Sequence, residues 1–231
     1  MASPADLETV RRQRLPDLEP APPGARYDRS SIEADALVTI EGQTERDFFL
    51  RAPEDRYCEF IDGTVYMPSP VSVRHQELVG FWYVLLSAFC HERERGRVLT
   101  GPAVLRVAPD RDLEPDVFVA PAGAEPLPPS GLAMGEAVLV VEVLSPGNCS
   151  HDLDRKAAVY REARIPEIVY VDDRDKVLIV HRLALGDYET IRLGSGRWES
   201  GAVPGFWLDV SWLWGEPLPG SHRLIDAILA G

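Results

Sequence analysis

Apolar and polar positions alternate along this chain with two distinct periods. From His75 to Arg95, Leu78, Phe81, Trp82, Leu85 and Phe89 recur at helical spacing and end in the charged run HERERG, which predicts the main core helix. Short β-type runs follow at Val98 to Val107, Val117 to Ala120 and Ala137 to Leu144, the last apolar enough for a central strand. Upstream, Thr44 can cap a short helix through Phe48, Phe49 and Leu50 that ends near Pro53. The segment YCEFIDGTVYM predicts two strands around Asp62-Gly63, a dipeptide suited to the positive φ angles of a tight hairpin, with Tyr57, Glu59 and Ile61 on one face. A break at Pro68-Ser69-Pro70 separates this hairpin from the long helix.

A second helix is predicted from about Asp152 to Ala163, then strands at Ile168 to Val171 and Val177 to Leu183 joined by the polar turn from Asp172 to Asp175. Strands near Tyr188 to Leu193 and Phe206 to Val210 and a helix from Ser221 to Leu229 complete the chain, with no internal repeat. The pattern describes an α/β or α+β fold in which helices pack on a mixed sheet. Residues 1–30 are Pro-rich, carry both charge signs and hold too few apolar positions to offset the entropy of ordering. They are expected to form a flexible arm ahead of a single domain over residues 31–231.

Composition narrows the classes. Of 231 residues, 45% are hydrophobic, enough for a real core, while no run approaches the roughly 18 apolar residues that span a bilayer. A cytoplasmic protein with no membrane partner is expected. Cys58, Cys90 and Cys149 fall in no zinc or disulfide spacing. A net charge of −13 argues against a broad nucleic-acid surface, although a metal site needs carboxylates and an acidic body can still hold a local arginine-lined groove.

Against that background a few polar residues stand out. Glu142 interrupts VLVVEVL, where a buried carboxylate costs several kcal/mol, roughly, unless neutralised. The alternative is a wet sheet face at that point. Asp116 opens the strand of EPDVFVA, either as a turn-closing residue or as one of two acids from neighbouring strands converging on a hard cation. Lys156 is one of only two lysines among 24 basic residues, so a compact ammonium stands where the chain otherwise prefers arginine; a surface ion pair is the plainer reading. Asp152, Lys156 and Tyr160 share a helical stripe. Glu59 is either a solvated strand residue or a functional acid, and His75 either a helix-terminal polar residue or a ring that meets phosphate at a helix N-terminus. No HExxH, Walker or GxGxxG motif is present, and the consecutive Ser150-His151-Asp152 cannot form a triad.

Taken in order, YCEFIDGTVYMPSP, RHQEL, EPDVFVA, VVEVLSP and HDLDRKAAVYREARIPEIVYVDD resemble the Uma-two family of restriction-endonuclease-like proteins, in the PD-(D/E)XK nuclease superfamily. The resemblance runs from about Thr44 to His181. It implies a restriction-endonuclease-like mixed β-sheet flanked by helices and a metal-dependent endonuclease acting on DNA. It further implies Asp116, Glu142, the Val143 backbone and Glu59 as holders of Mg²⁺, with Mn²⁺ as substitute. Leu144 stands where the superfamily's usual lysine falls, so the ammonium is implied to come from Lys156 on the next helix, with His75, Asp152 and Tyr160 in support. RNA or nucleotide hydrolysis at the same site, or a non-catalytic interaction module, are the alternatives. The family's fold is often dimeric, and Trp207, Trp212 and Trp214 are either a contact surface or core.

Overall fold

The computed structural model describes residues 38–51, 57–68, 71–128, 131, 133–145 and 151–231. The arm expected over residues 1–30, Cys149, and the side chains of His151 and Asp152 lie outside what it describes. The architecture is α+β, with mixed sheets flanked by helices.

The first half of the chain begins with β1 (Val38–Ile40), α1 (Glu45–Arg51), β2 (Glu59–Ile61), β3 (Thr64–Met67) and α2 (Val73–Glu92). It continues with β4 (Arg97–Thr100), β5 (Val104–Ala108), β6 (Arg111–Leu113), β7 (Val117–Ala120), β8 (Ala133–Met134) and β9 (Leu139–Val143). A π-helical turn (His151–Lys156) runs directly into α3 (Ala157–Glu162). Next come β10 (Glu167–Asp172), β11 (Val177–Ala184), β12 (Asp187–Leu193), β13 (Arg197–Glu199), β14 (Trp207–Asp209) and α4 (Ser221–Ala230). One sheet has the order β1-β3-β2-β6-β5-β8, and the second β12-β11-β10-β9-β7-β4.

Local chemistry explains the boundaries. The Thr44 hydroxyl accepts the Asp47 N–H at 3.1 Å, and Asp47 in return accepts the Thr44 N–H at 3.2 Å, a reciprocal cap that starts α1. Asp62 and Gly63 both have positive φ, at 48° and 88°, as the two-residue hairpin between β2 and β3 requires. The long helix starts earlier than its apolar spacing suggests, because Ser72 caps it by accepting the His75 N–H. The run expected as one strand from Val98 to Val107 is two strands in different sheets. It divides at Gly101-Pro102, where proline has no N–H to give a ladder.

The second sheet is covered on both faces. Leu78, Trp82, Leu85 and Phe89 of α2 pack with Val117, Val119, Leu139, Val141, Val169 and Val180, and α4 joins this side. The opposite face presents Phe118, Val140, Ile168 and Tyr170 to Ala157, Val159 and Tyr160 of the second helix and to Leu105 and Leu113 of the first sheet. Trp207, Trp212 and Trp214 pack half-buried against the first of these clusters, with the Trp207 and Trp212 rings 5.4 Å apart.

Two functional consequences follow from this layering. Burial on both faces makes β9 apolar except where a polar side chain has a partner. The segment from β6 to β7 crosses directly from one sheet to the other, so Glu114 and Asp116 stand at the seam between them. Truncating the buried face of α2 with Leu85→Ala is expected to lower stability by about 3 kcal/mol. Tyr83→Ala, on the exposed face, is expected to change it by less than about 0.5 kcal/mol. Equal losses in urea denaturation would contradict the orientation of the helix.

Candidate active site

Residues far apart in sequence meet at that seam. In the ladder of β7 and β9, Val117 pairs with Val141, so the next step of the same antiparallel register sets Asp116 opposite Glu142. Asp116 precedes the strand, and its carboxylate takes the place of a ladder acceptor: Oδ2 accepts the Val143 N–H at 2.8 Å. His75, in the first turn of α2, brings Nε2 to 3.2 Å from the same oxygen. The ring is turned into the protein toward Asp116. Its Nδ1 is buried without a hydrogen-bond partner.

Glu142 is only 2% exposed, which excludes a wet sheet face at this position. Lys156, in the last position of the π-helical turn, sets Nζ 2.6 Å from Glu142 Oε1 and 2.8 Å from Glu59 Oε1. One turn on, Tyr160 donates its hydroxyl to Glu142 Oε1 at 2.6 Å. Glu59 Oε1 also accepts the backbone N–H of Glu114, and the Glu114 carboxylate accepts the Cys58 N–H at 2.9 Å. Lys156 is therefore no surface residue. It is a buried ammonium bridging one carboxylate from each sheet.

Among the described residues the charges in this space do not balance: Glu59, Glu114, Asp116 and Glu142 are all buried, with Lys156 as the lysine among them. Burying like charges without compensation drives proton uptake. Burial pushes Glu142 above the usual carboxylate range although Lys156 pulls the other way. Glu114 rises from 4.5 to about 8, mainly through burial, with Glu59 adding to the rise. Burial also holds the Tyr160 phenol far up, so it stays a donor.

Such a surplus of carboxyl oxygens suits a hard divalent cation. Of the contacts described above, those to Glu142 fall on Oε1 and those to Asp116 on Oδ2, leaving the second oxygen of each out of these bonds. The facing pair Asp116 and Glu142 thus fits a shared metal. Among the described residues, no three acidic, histidine or cysteine side chains are already drawn into a ligand set. Glu59 is engaged by the ammonium instead.

Two participants were not singled out from sequence. Glu114 carries no reading of its own, and Tyr57 is expected only as a strand residue. The Tyr57 ring lies on Gly101, where an added Cβ would stand 2.2 Å from Cε1, and Gly101 N–H donates to the Pro115 carbonyl beside Asp116. That seat holds the phenol at the edge of the acidic cluster. Burial and the charges of Asp116, Glu114 and Glu142 raise it to about 12. The only sequence signal was a glycine at the strand break.

The fold is that of a solved structure described as a nuclease. The chain resembles a crystal structure described as a "putative nuclease belonging to DUF820" from Anabaena variabilis, with a TM-score of 0.60 at 14% identity, covering 73% of this chain and 96% of that one. Residues 46–211 match the Uma2 family model, "Putative restriction endonuclease", and the chain belongs to that family. No curated protein matches it.

Because Glu114 holds its proton more tightly when folded, its contribution to stability is present below about pH 4.5 and is lost as pH rises toward about 8. Glu114→Gln keeps an acceptor for Cys58 and is expected to flatten that loss when urea denaturation is followed across pH. An unchanged pH profile would contradict the burial of an ionisable group there. Gly101→Ala is expected to lower stability by about 1–3 kcal/mol in the parent and by clearly less in a Tyr57→Ala background. Equal effects in the two backgrounds would show that the ring does not rest on this glycine.

Proposed function

We propose that this protein is a metal-dependent endonuclease that hydrolyses phosphodiester bonds in DNA at the Asp116–Glu142–Lys156 seam. The observation that carries the reading is the buried ammonium of Lys156 held against Glu142, one strand from Asp116, in a cluster with more carboxylates than cations. Membership of a family described as a restriction endonuclease supports the same class.

Asp116 and Glu142 are the residues that would hold Mg²⁺ or Mn²⁺, with the Val143 backbone and Glu59 as further candidates from the resemblance. A divalent cation there supplies Lewis acidity toward the phosphate and lowers the pKa of the attacking water. The protein does the rest by orientation. Val143 N–H and His75 Nε2 fix the Asp116 carboxylate, and Tyr160 fixes Glu142 by donating to it. Lys156 carries a buried positive charge, suited to neutralising charge that develops on the phosphate or to steering the water. Glu59 holds that ammonium in position from the other side.

The net charge of −13 favours a second reading, hydrolysis of RNA or a nucleotide, in which fewer phosphates need neutralising. A panel of DNA, RNA and nucleotide substrates with Mg²⁺ or Mn²⁺ separates the two. Asp116→Asn and Glu142→Gln are each expected to reduce cleavage by at least about 100-fold, and Lys156→Met by a similar factor. Cleavage at the parental rate by either carboxylate variant, with metal supplied, would remove the proposed site.

A further inference from the structure

The strand register extends the row of the site across the sheet. Glu142 pairs with Tyr170, Tyr170 with Ile179, and Ile179 with Arg192, so Asp116, Glu142, Tyr170, Ile179 and Arg192 form one row on one face. At about 4.8 Å per strand, Arg192 starts about 14 Å from Glu142. Around the end of that row lie two further arginines. Arg161 on the second helix places its guanidinium 3.2 Å from His181 Nδ1 and 5.4 Å from the centre of the Tyr188 ring. Arg164, directly after that helix, donates to the Gly186 carbonyl.

Arg161, Arg164 and Arg192 are exposed, and among the described residues none of them has a carboxylate within ion-pair distance. In this they differ from Arg74, Arg106, Arg111 and Arg182, which are each paired with an acid. The local field is felt by the imidazole between them: burial and the charges of Arg161 and Arg192 hold His181 below its usual range. Arg161 at His181 and Tyr188, Arg164 at Gly186 and Arg192 on the strand beside His181 offer guanidinium groups, which suit phosphate oxygens in charge and shape. The patch is also joined to the site. The second helix sends Tyr160 to Glu142 and the very next residue, Arg161, to His181.

We propose that Arg161, Arg164 and Arg192, with His181 and Tyr188, form a subsite for the backbone phosphates of a nucleic acid whose scissile bond lies at the Asp116–Glu142 seam. The proposal rests on the hydrolytic reading for the position of the scissile bond, but not for the binding itself. At 3.4 Å of helix rise per nucleotide, a separation of about 14 Å corresponds to about four nucleotides. The subsite therefore serves an oligonucleotide or longer chain rather than a mononucleotide, and it gives an acidic protein a confined place to hold a polyanion.

The test compares the full-length parent with the triple variant Arg161→Gln/Arg164→Gln/Arg192→Gln. A charge-matched control carries Arg95→Gln/Arg97→Gln/Arg223→Gln, at exposed positions on the α2–β4 turn, β4 and α4. Binding of a fluorescein-labelled DNA duplex is followed by anisotropy over a range of salt concentrations, with Ca²⁺ in place of Mg²⁺. The triple variant is expected to bind more weakly, with the slope of log affinity against log salt shallower by about 1 for each arginine removed, while the control follows the parent. Hydrolysis of the small diester bis(p-nitrophenyl) phosphate is expected to be the same in all three proteins. Parental affinity and slope in the triple variant, an equal loss in the control, or no binding by the parent at low salt would each overturn the subsite. Loss of duplex binding in the triple variant alone, with no diester hydrolysis by any protein, would leave the subsite standing and overturn the hydrolytic reading.

Discussion

An ammonium group buried between two carboxylates is the interaction around which this structure is arranged. Lys156 reaches Glu59 on β2 and Glu142 on β9, strands that belong to different sheets, from the helical segment packed beside both. Removing one member of such a cluster leaves a charge buried without its counter-charge, which typically costs about 3–5 kcal/mol. The same contact that joins the sheets also fixes the distance between the acids. Stability and chemistry therefore share one set of atoms, and a change that relaxes the first also loosens the second.

The arrangement is not electrically finished. Among the described residues four buried carboxyl groups stand with a single lysine, and burial, with neighbouring acids adding to it, holds the protons of Glu142 and Glu114 above their usual range. A divalent cation between Asp116 and Glu142 would replace those protons, which couples metal affinity to pH in the direction of tighter binding as pH rises. His75 and Tyr160 keep the two carboxylates oriented in the meantime. On the surface, Arg74, Arg106, Arg111 and Arg182 are paired with local acids, whereas Arg161, Arg164 and Arg192, which are not, stand around the end of the row that starts at the seam.

Much of this was legible in the chain before folding. An isolated glutamate in VLVVEVL either faces water or is buried with a partner, and in a strand covered on both faces it must have the partner. The rarity of lysine marked Lys156, and the Asp62-Gly63 turn and the apolar stripe of α2 follow directly from local rules. Long-range register was not legible. That Val98 to Val107 splits between two sheets, that Glu114 folds back on Cys58, and that Tyr57 rests on Gly101 depend on contacts between segments that local periodicity does not encode. The arginine patch was hidden for the same reason, because Arg161, Arg164 and Arg192 come together only once β11 and β12 pair beside the second helix.

The proposed function depends on Asp116 and Glu142 acting together on one cation. The direct measurement is the anomalous scattering of crystals grown with Mn²⁺ at neutral pH. The account predicts a single strong peak with carboxylate oxygens of both residues in its coordination shell and the Lys156 ammonium still nearby. A map with no peak at the seam, or a peak bound by only one of the two residues, would contradict it.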